Sequence, residues 1–283
     1  MKLPFIFAKR FVAGEDLDQT IPKVTELNGF GIRVTLDLLG ENVKDKATAD
    51  QTLEHYIDLL NGINAQNLKS SISIKLTMLG LDIGRDYCRD NLFKLLEVAK
   101  DNDQFVRIDM EGSDYTQVTI DIFKEAFAKY GKHVGIVIQA YLHRTKKDIE
   151  ELAGIGADIR LCKGAYKEPE RIALQNMPAI REAFKEYAKI LFDKTVYPRI
   201  ATHDDELIEW VKNYTSENNI GTSRFEFQML YGLRLNTCKE LVENGYNVRV
   251  YVPYGTMWVP YFTRRLKERK ENIWFVLSTM FKK

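Results

Sequence analysis

Apolar residues recur along this chain with two periods. Eight short runs are rich in β-branched and other apolar side chains: Ile32–Leu39, Ser71–Met78, Phe105–Met110, Val134–Ala140, Ile159–Lys163, Arg199–His203, Phe225–Leu230 and Val248–Val252. Their starts lie roughly 23–40 residues apart, the repeat of a strand followed by a helix. Between them the apolar spacing becomes helical. Leu53, Tyr56, Ile57 and Leu60 share one face of a helix over Asp50–Leu60, and Val118–Tyr130 and Met177–Phe192 repeat the pattern. Asp204-Asp205-Glu206 ahead of Leu207-Ile208 puts acids in the first turn of another helix, where the helix dipole favours them. The pairs Asn28-Gly29, Asn61-Gly62 and Asn244-Gly245 follow helical stretches, where a C-cap suits them, and none joins two strands as a hairpin turn would.

Alternating units without hairpins predict an α/β fold, a (βα)8 barrel of the TIM type, spanning residues 1–283 as one domain. A doubly wound sheet is the alternative. Against it, the first strand runs into Leu38-Leu39-Gly40-Glu41, with no GxGxxG. A barrel places chemistry at the C-terminal ends of its strands.

Composition narrows the function classes. Lys and Arg number 41 against 40 Asp and Glu, so the basic excess of a nucleic-acid binder is missing. The three cysteines, Cys88, Cys162 and Cys238, are scattered and show neither a disulfide framework nor zinc-ligand spacing. No metal is expected, and a reducing, cytoplasmic setting fits. The opening MKLPFIFAKRF is too short in apolar residues for a signal sequence, and no run approaches the roughly 20 apolar residues of a membrane span. Any membrane contact is expected to be peripheral.

The strand ends carry the candidate chemistry. Lys75 lies late in the second run and faces either the barrel mouth or solvent. Asp109 and Glu111 end the third run, on one face by alternation, with Met110 opposite. Gln139 ends the fourth, with Tyr141 two residues on; its amide suits the edge of a planar heterocycle, or simply a loop hydrogen bond. The fifth reads IRLCKGAY. Arg160 inside an apolar strand needs a buried partner or a ligand, and Lys163-Gly164-Ala165 combines a cation with close-approaching backbone N–H groups. Thr202 and His203 end the sixth, where the histidine is a base, a cofactor contact or a structural group. Tyr251 closes the eighth. Beyond it, the adjacent Arg264 and Arg265, with Glu268 one turn on, suit a bidentate grip on a carboxylate, although a paired-arginine helix is more often a solvated face.

Taken in order, IKLTMLG, IDMEG, IQAY, IRLCKGAY, ATHDD, FEFQMLYG and VYVPYG…YFTRRLKE resemble the proline dehydrogenase family along Gly31 to Phe281. These are FAD-dependent barrels, also found as a domain of bifunctional proline-utilisation proteins. The length is similar to the monofunctional bacterial form, with the N-terminal helices trimmed. The resemblance implies a distorted barrel with its final helix over the mouth and FAD held without a Rossmann motif. It implies oxidation of L-proline to Δ1-pyrroline-5-carboxylate, by hydride transfer from proline C5 to flavin N5, as the first step of catabolism to glutamate.

It also implies residue roles. Arg264, Arg265 and Lys75 clamp the proline carboxylate, Tyr251 packs beside the ring, and Glu268 pairs with an arginine to close the site. Asp109 matches the catalytic-site aspartate, and Arg160 the arginine beside flavin N5. Met110, Gln139, Lys163, Gly164, Ala165, Tyr166, Thr202 and His203 match flavin-contacting positions. A quinone acceptor at the inner membrane surface and a pyrroline-5-carboxylate dehydrogenase are the implied partners. A methylenetetrahydrofolate reductase-like flavin barrel and a non-catalytic carboxylate-binding barrel are the rival readings.

Overall fold

A computed structural model describes residue 5, residues 8–194 and residues 197–268, with side chains through Thr263. Eight parallel strands close into a barrel in sequence order. They are β1 (Arg33–Leu38), β2 (Ser70–Ile74), β3 (Val106–Ile108), β4 (Val134–Gln139), β5 (Asp158–Cys162), β6 (Arg199–Ala201), β7 (Glu226–Leu230) and β8 (Asn247–Tyr254). Each falls on one of the eight apolar runs. The barrel closes where β1 pairs with β8, from Arg33 opposite Arg249 to Leu38 opposite Tyr254.

Helix α1 (Leu17–Gly29) precedes β1. Helices α2 (Lys46–Ala65), α3 (Arg85–Asp101), α4 (Ser113–Tyr130), α5 (Thr145–Gly154), α6 (Met177–Lys194), α7 (Asp205–Glu217) and α8 (Leu235–Glu243) fill the seven crossovers, and α9 (Trp258–Glu268) follows β8. Their starts follow local chemistry: the Asp16 and Asp45 carboxylates accept from the Gln19 and Thr48 N–H groups, capping α1 and α2.

The strand period of two divides the barrel into an apolar outside and a polar inside. Val34, Leu36, Ile72, Ile74, Val106, Ile108, Ile136, Ile159, Leu161 and Ile200 are fully buried in one cluster with helix residues such as Leu60, Leu92, Phe123 and Phe184. The hydrophobic core is therefore the layer between barrel and helices. The alternate residues form polar layers within the barrel. At its N-terminal end Arg249, Glu226, Arg199, Asp158 and Arg107 make a continuous chain of ion pairs. Above them Thr35 and Ser71 hydrogen-bond at 2.9 Å, and the candidate site begins at Ser73.

Two local expectations change. The second run leaves the sheet at Ile74; Leu76–Leu79 coils into a 3-10 turn, ended by Gly80 at φ 92°. The Glu111 carboxylate accepts from Thr77 N at 3.1 Å and Thr77 Oγ1 at 2.6 Å, drawing this segment off the strand path. Of the Asn-Gly pairs, Asn244-Gly245 caps α8 with Gly245 at φ 80°. Asn61-Gly62 instead lies inside α2, because Leu59, Leu60 and Ile63 continue the buried face through it.

Candidate active site

The C-terminal ends of the strands surround a cavity of about 1130 Å³. Its closed end is built from strands distant in sequence. Asp109, one residue beyond β3, accepts from Arg160 Nη1 at 2.8 Å and Ser73 Oγ at 3.1 Å through Oδ1, and from the Tyr251 hydroxyl at 2.7 Å through Oδ2. The Arg160 guanidinium lies 5.4 Å from the centre of the Tyr251 ring. Lys75, immediately after β2, donates to Asp37 on β1 at 2.8 Å. Burial works against the Lys75 ammonium, but Asp37 and Asp109 outweigh it and hold its pKa above the ordinary lysine value. Burial, reinforced by Asp109 and Asp37, keeps the Tyr251 phenol protonated. Lys75 thus faces the cavity, not solvent.

The wider part of the cavity is walled by Met110, Gln139, Lys163, Gly164, Ala165, Tyr166, Thr202 and His203, all from the sequence-derived set. Gly164 has φ 121°, and the Tyr141 ring occupies the space a Cβ would need, so only glycine fits. The Gln139 Oε1 and Arg160 Nε atoms are buried with no partner among the described residues, leaving one acceptor and one donor for a bound molecule. Lys163 Nζ and Arg181 Nε both donate to Asp204 Oδ2 at 2.9 Å. These bonds overcome the effect of burial and lower the Asp204 pKa to about 2. His203 Nε2 accepts from Leu230 N at 2.8 Å, which places its ring proton on Nδ1.

Some expectations need correction. Asp109 and Glu111 do not act together: β3 ends at Ile108, alternation lapses, and Glu111 turns away to cap the Thr77 segment. Tyr141 packs with Leu142, Ala173 and Ile180, and reaches the site only as the wall behind Gly164. The Arg264, Arg265 and Glu268 side chains lie outside the described residues. The part of α9 that is described packs Trp258, Tyr261 and Phe262 against Phe11, Val12 and Leu39, and Pro260 and Tyr261 line the cavity. The last helix among the described residues therefore stands at the mouth.

Sequence reasoning passed over Asp37, Ser73 and Arg181. Asp37 carried the signal that exposed Arg160: an ionisable residue at an inward position of an apolar strand. Ser73 and Arg181 had no such mark.

A barrel with buried, paired cations at the closed end of a large mouth cavity defines a TIM-barrel enzyme with room for a cofactor and a small acidic substrate. The family model for proline dehydrogenase matches residues 20–277. The chain is 43% identical to proline dehydrogenase 2 of Bacillus subtilis over 278 residues, covering 98% of this chain and 91% of that one. It is 37% identical to the proline dehydrogenase of Deinococcus radiodurans, covering 97% and 90%. Among solved structures, proline utilization A from Bdellovibrio bacteriovorus, inactivated by N-propargylglycine, superposes with a TM-score of 0.86 at 25% identity. That match covers 93% of this chain and 32% of the other, so this chain corresponds to about a third of it. The chain belongs to the proline dehydrogenase family, enzymes of proline oxidation, and membership implies a flavin cofactor.

Proposed function

We propose that this protein oxidises L-proline to Δ1-pyrroline-5-carboxylate with FAD as its cofactor and passes the electrons to a quinone. The observation that carries the reading is the closed end of the cavity, where buried Lys75 faces the Asp109–Arg160–Tyr251 cluster.

The residues present fit FAD. The cavity exceeds the roughly 300–1,000 Å³ of ordinary small-molecule sites. Gln139 Oε1 offers an unused acceptor and Arg160 Nε an unused donor to a heterocycle edge, and Gly164 allows backbone approach. Lys163 and Arg181 line the cavity beside Asp204 and offer two cations to a pyrophosphate. When bound, the flavin supplies the two-electron acceptor for the proline C–H bond.

The chain's own residues do the rest. Lys75 is held charged and aimed by Asp37, and binds the substrate carboxylate, assisted by Arg264 and Arg265. Asp109 is committed to three hydrogen bonds, so its work is to lock Arg160 and Tyr251 beside the reacting ring. Burial of this cluster keeps water from the reacting carbon. The cations at the carboxylate lower the pKa of the substrate amine, so it releases its proton more readily.

No helix among the described residues is long and apolar enough to cross a membrane. Meeting the quinone at the surface of the membrane is part of the proposal, as is handing the product to a pyrroline-5-carboxylate dehydrogenase.

The test is the visible spectrum of the purified protein before and after anaerobic L-proline. A flavin band that bleaches with proline is expected. A flavin band indifferent to proline would overturn the substrate assignment, and no band after adding FAD would overturn the cofactor.

A further inference from the structure

The opposite end of the barrel holds a second cavity, of about 390 Å³, lined by Arg33, Lys69 and Arg249 along with Asp103 and Gln104. It sits at the N-terminal ends of β1, β2 and β8, away from the strand ends that bind substrate.

Charge balance there is incomplete. The buried network within this end counts Arg107, Arg199 and Arg249 against Asp158 and Glu226, three guanidiniums to two carboxylates. Arg33 adds another cation. It stands directly opposite Arg249 in the β1–β8 register, and like charges facing each other across two strands are destabilising. Arg33 forms no ion pair among the described residues, whereas Arg249 already serves Glu226, Val34 O and Ser71 Oγ. Burial, with Arg199 and Arg33 as neighbouring cations, holds the Arg249 pKa below its ordinary value. Asp103, the one acid among the described residues lining the cavity, is taken by Lys132 at 2.7 Å. Gln104 also lines the cavity, and its Oε1 is a buried acceptor with no partner among the described residues.

We infer that this cavity is an anion site, taking a small oxyanion that carries a hydrogen-bond donor, as hydrogen phosphate does. The oxygens meet Arg33 and Lys69, with Arg249 behind them as a further positive charge, and the donor meets Gln104. Paired guanidiniums bind phosphate and carboxylate oxygens in this way. Arg249 is two residues from Tyr251 on the same inward face of β8, so the anion steadies the strand that carries an active-site side chain.

The test uses the flavin-loaded protein, so that the active-site cavity does not compete for the probe. Thermal unfolding is followed against inorganic phosphate at constant ionic strength set with sodium chloride. The expected result is a saturable rise in Tm, on the order of 2–4 °C once phosphate is several-fold above its Kd. Arg33→Glu supplies the missing negative charge from the chain itself. It is expected to melt no lower than wild type without phosphate and to lose the saturable response, and Lys69→Ala to weaken that response. A phosphate effect equal in wild type and Arg33→Glu is a bulk salt effect and overturns the site, as does the absence of any saturable rise.

Discussion

Single residues in the barrel interior act through their partners. Asp37 lines the cavity and holds the Lys75 ammonium there, which makes it a positioning residue for Lys75. Asp37→Asn leaves a buried lysine without its nearest anion, an arrangement that costs about 3–5 kcal/mol when a buried pair is broken. We expect kcat/KM for proline to fall by about 10²-fold, the effect of a misplaced anchoring group, while the flavin spectrum is unchanged. Steady-state kinetics on the flavin-loaded variant check this. Unaltered kcat/KM would remove Asp37 from the site, and loss of flavin would show a general collapse instead. Asp37 was open to discovery in the sequence, because an acid in the IRVTLDLL run stands out as Arg160 does in IRLCK. Its pairing with Lys75 was not, since 38 residues separate the two and only the β1–β2 pairing brings them together.

At the scale of elements, the turn after β5 is the most constrained feature of the site. Gly164 lies at φ 121° with the Tyr141 ring packed against it. Gly164→Ala puts a methyl group into that ring while forcing a backbone conformation that side chains disfavour, at a cost of roughly 1–3 kcal/mol. The expected outcome is weaker FAD binding, measured by flavin retention during gel filtration, together with a lowered Tm. Full retention and an unchanged Tm would show that the turn relaxes freely. The KGA string marked this turn in the sequence, but Tyr141 as the cause of the glycine did not show. That contact arises because β4 and β5 pair and bring their following loops together. The lapse of alternation after Ile108 was equally hidden: Glu111 leaves the Asp109 face because Thr77, on another loop, offers it two hydrogen bonds.

For the whole molecule, the charged barrel interior sets the response to pH. Burial opposes ionisation of Glu226 and Asp158, but their arginine partners prevail and both pKa values lie below the ordinary 4.5 and 3.8. Asp204 is lowered to about 2. Depressed carboxylates contribute stability that is complete above their unfolded values and lost as pH falls through their folded ones. Glu111, raised by burial, works in the opposite sense and offsets part of the loss. Tm is therefore expected to hold at neutral pH and to fall steeply below about pH 4. Glu226→Gln should lower Tm at pH 7 and flatten the acid limb, as followed by calorimetry across pH. A Glu226→Gln acid limb as steep as that of wild type would assign the acid sensitivity elsewhere.

The sequence by itself determined the eightfold alternation and the residue types that stand at the strand ends. These are properties of local period and residue type: a strand period of two and a helical period near 3.6 are visible wherever one face is apolar. Only the tertiary structure decided the partners. Lys75 with Asp37, Asp109 with Ser73, Arg160 and Tyr251, and Arg33 beside Arg249 join residues 36 to 216 positions apart. Such pairings follow from barrel closure and register, which no local pattern in the chain encodes.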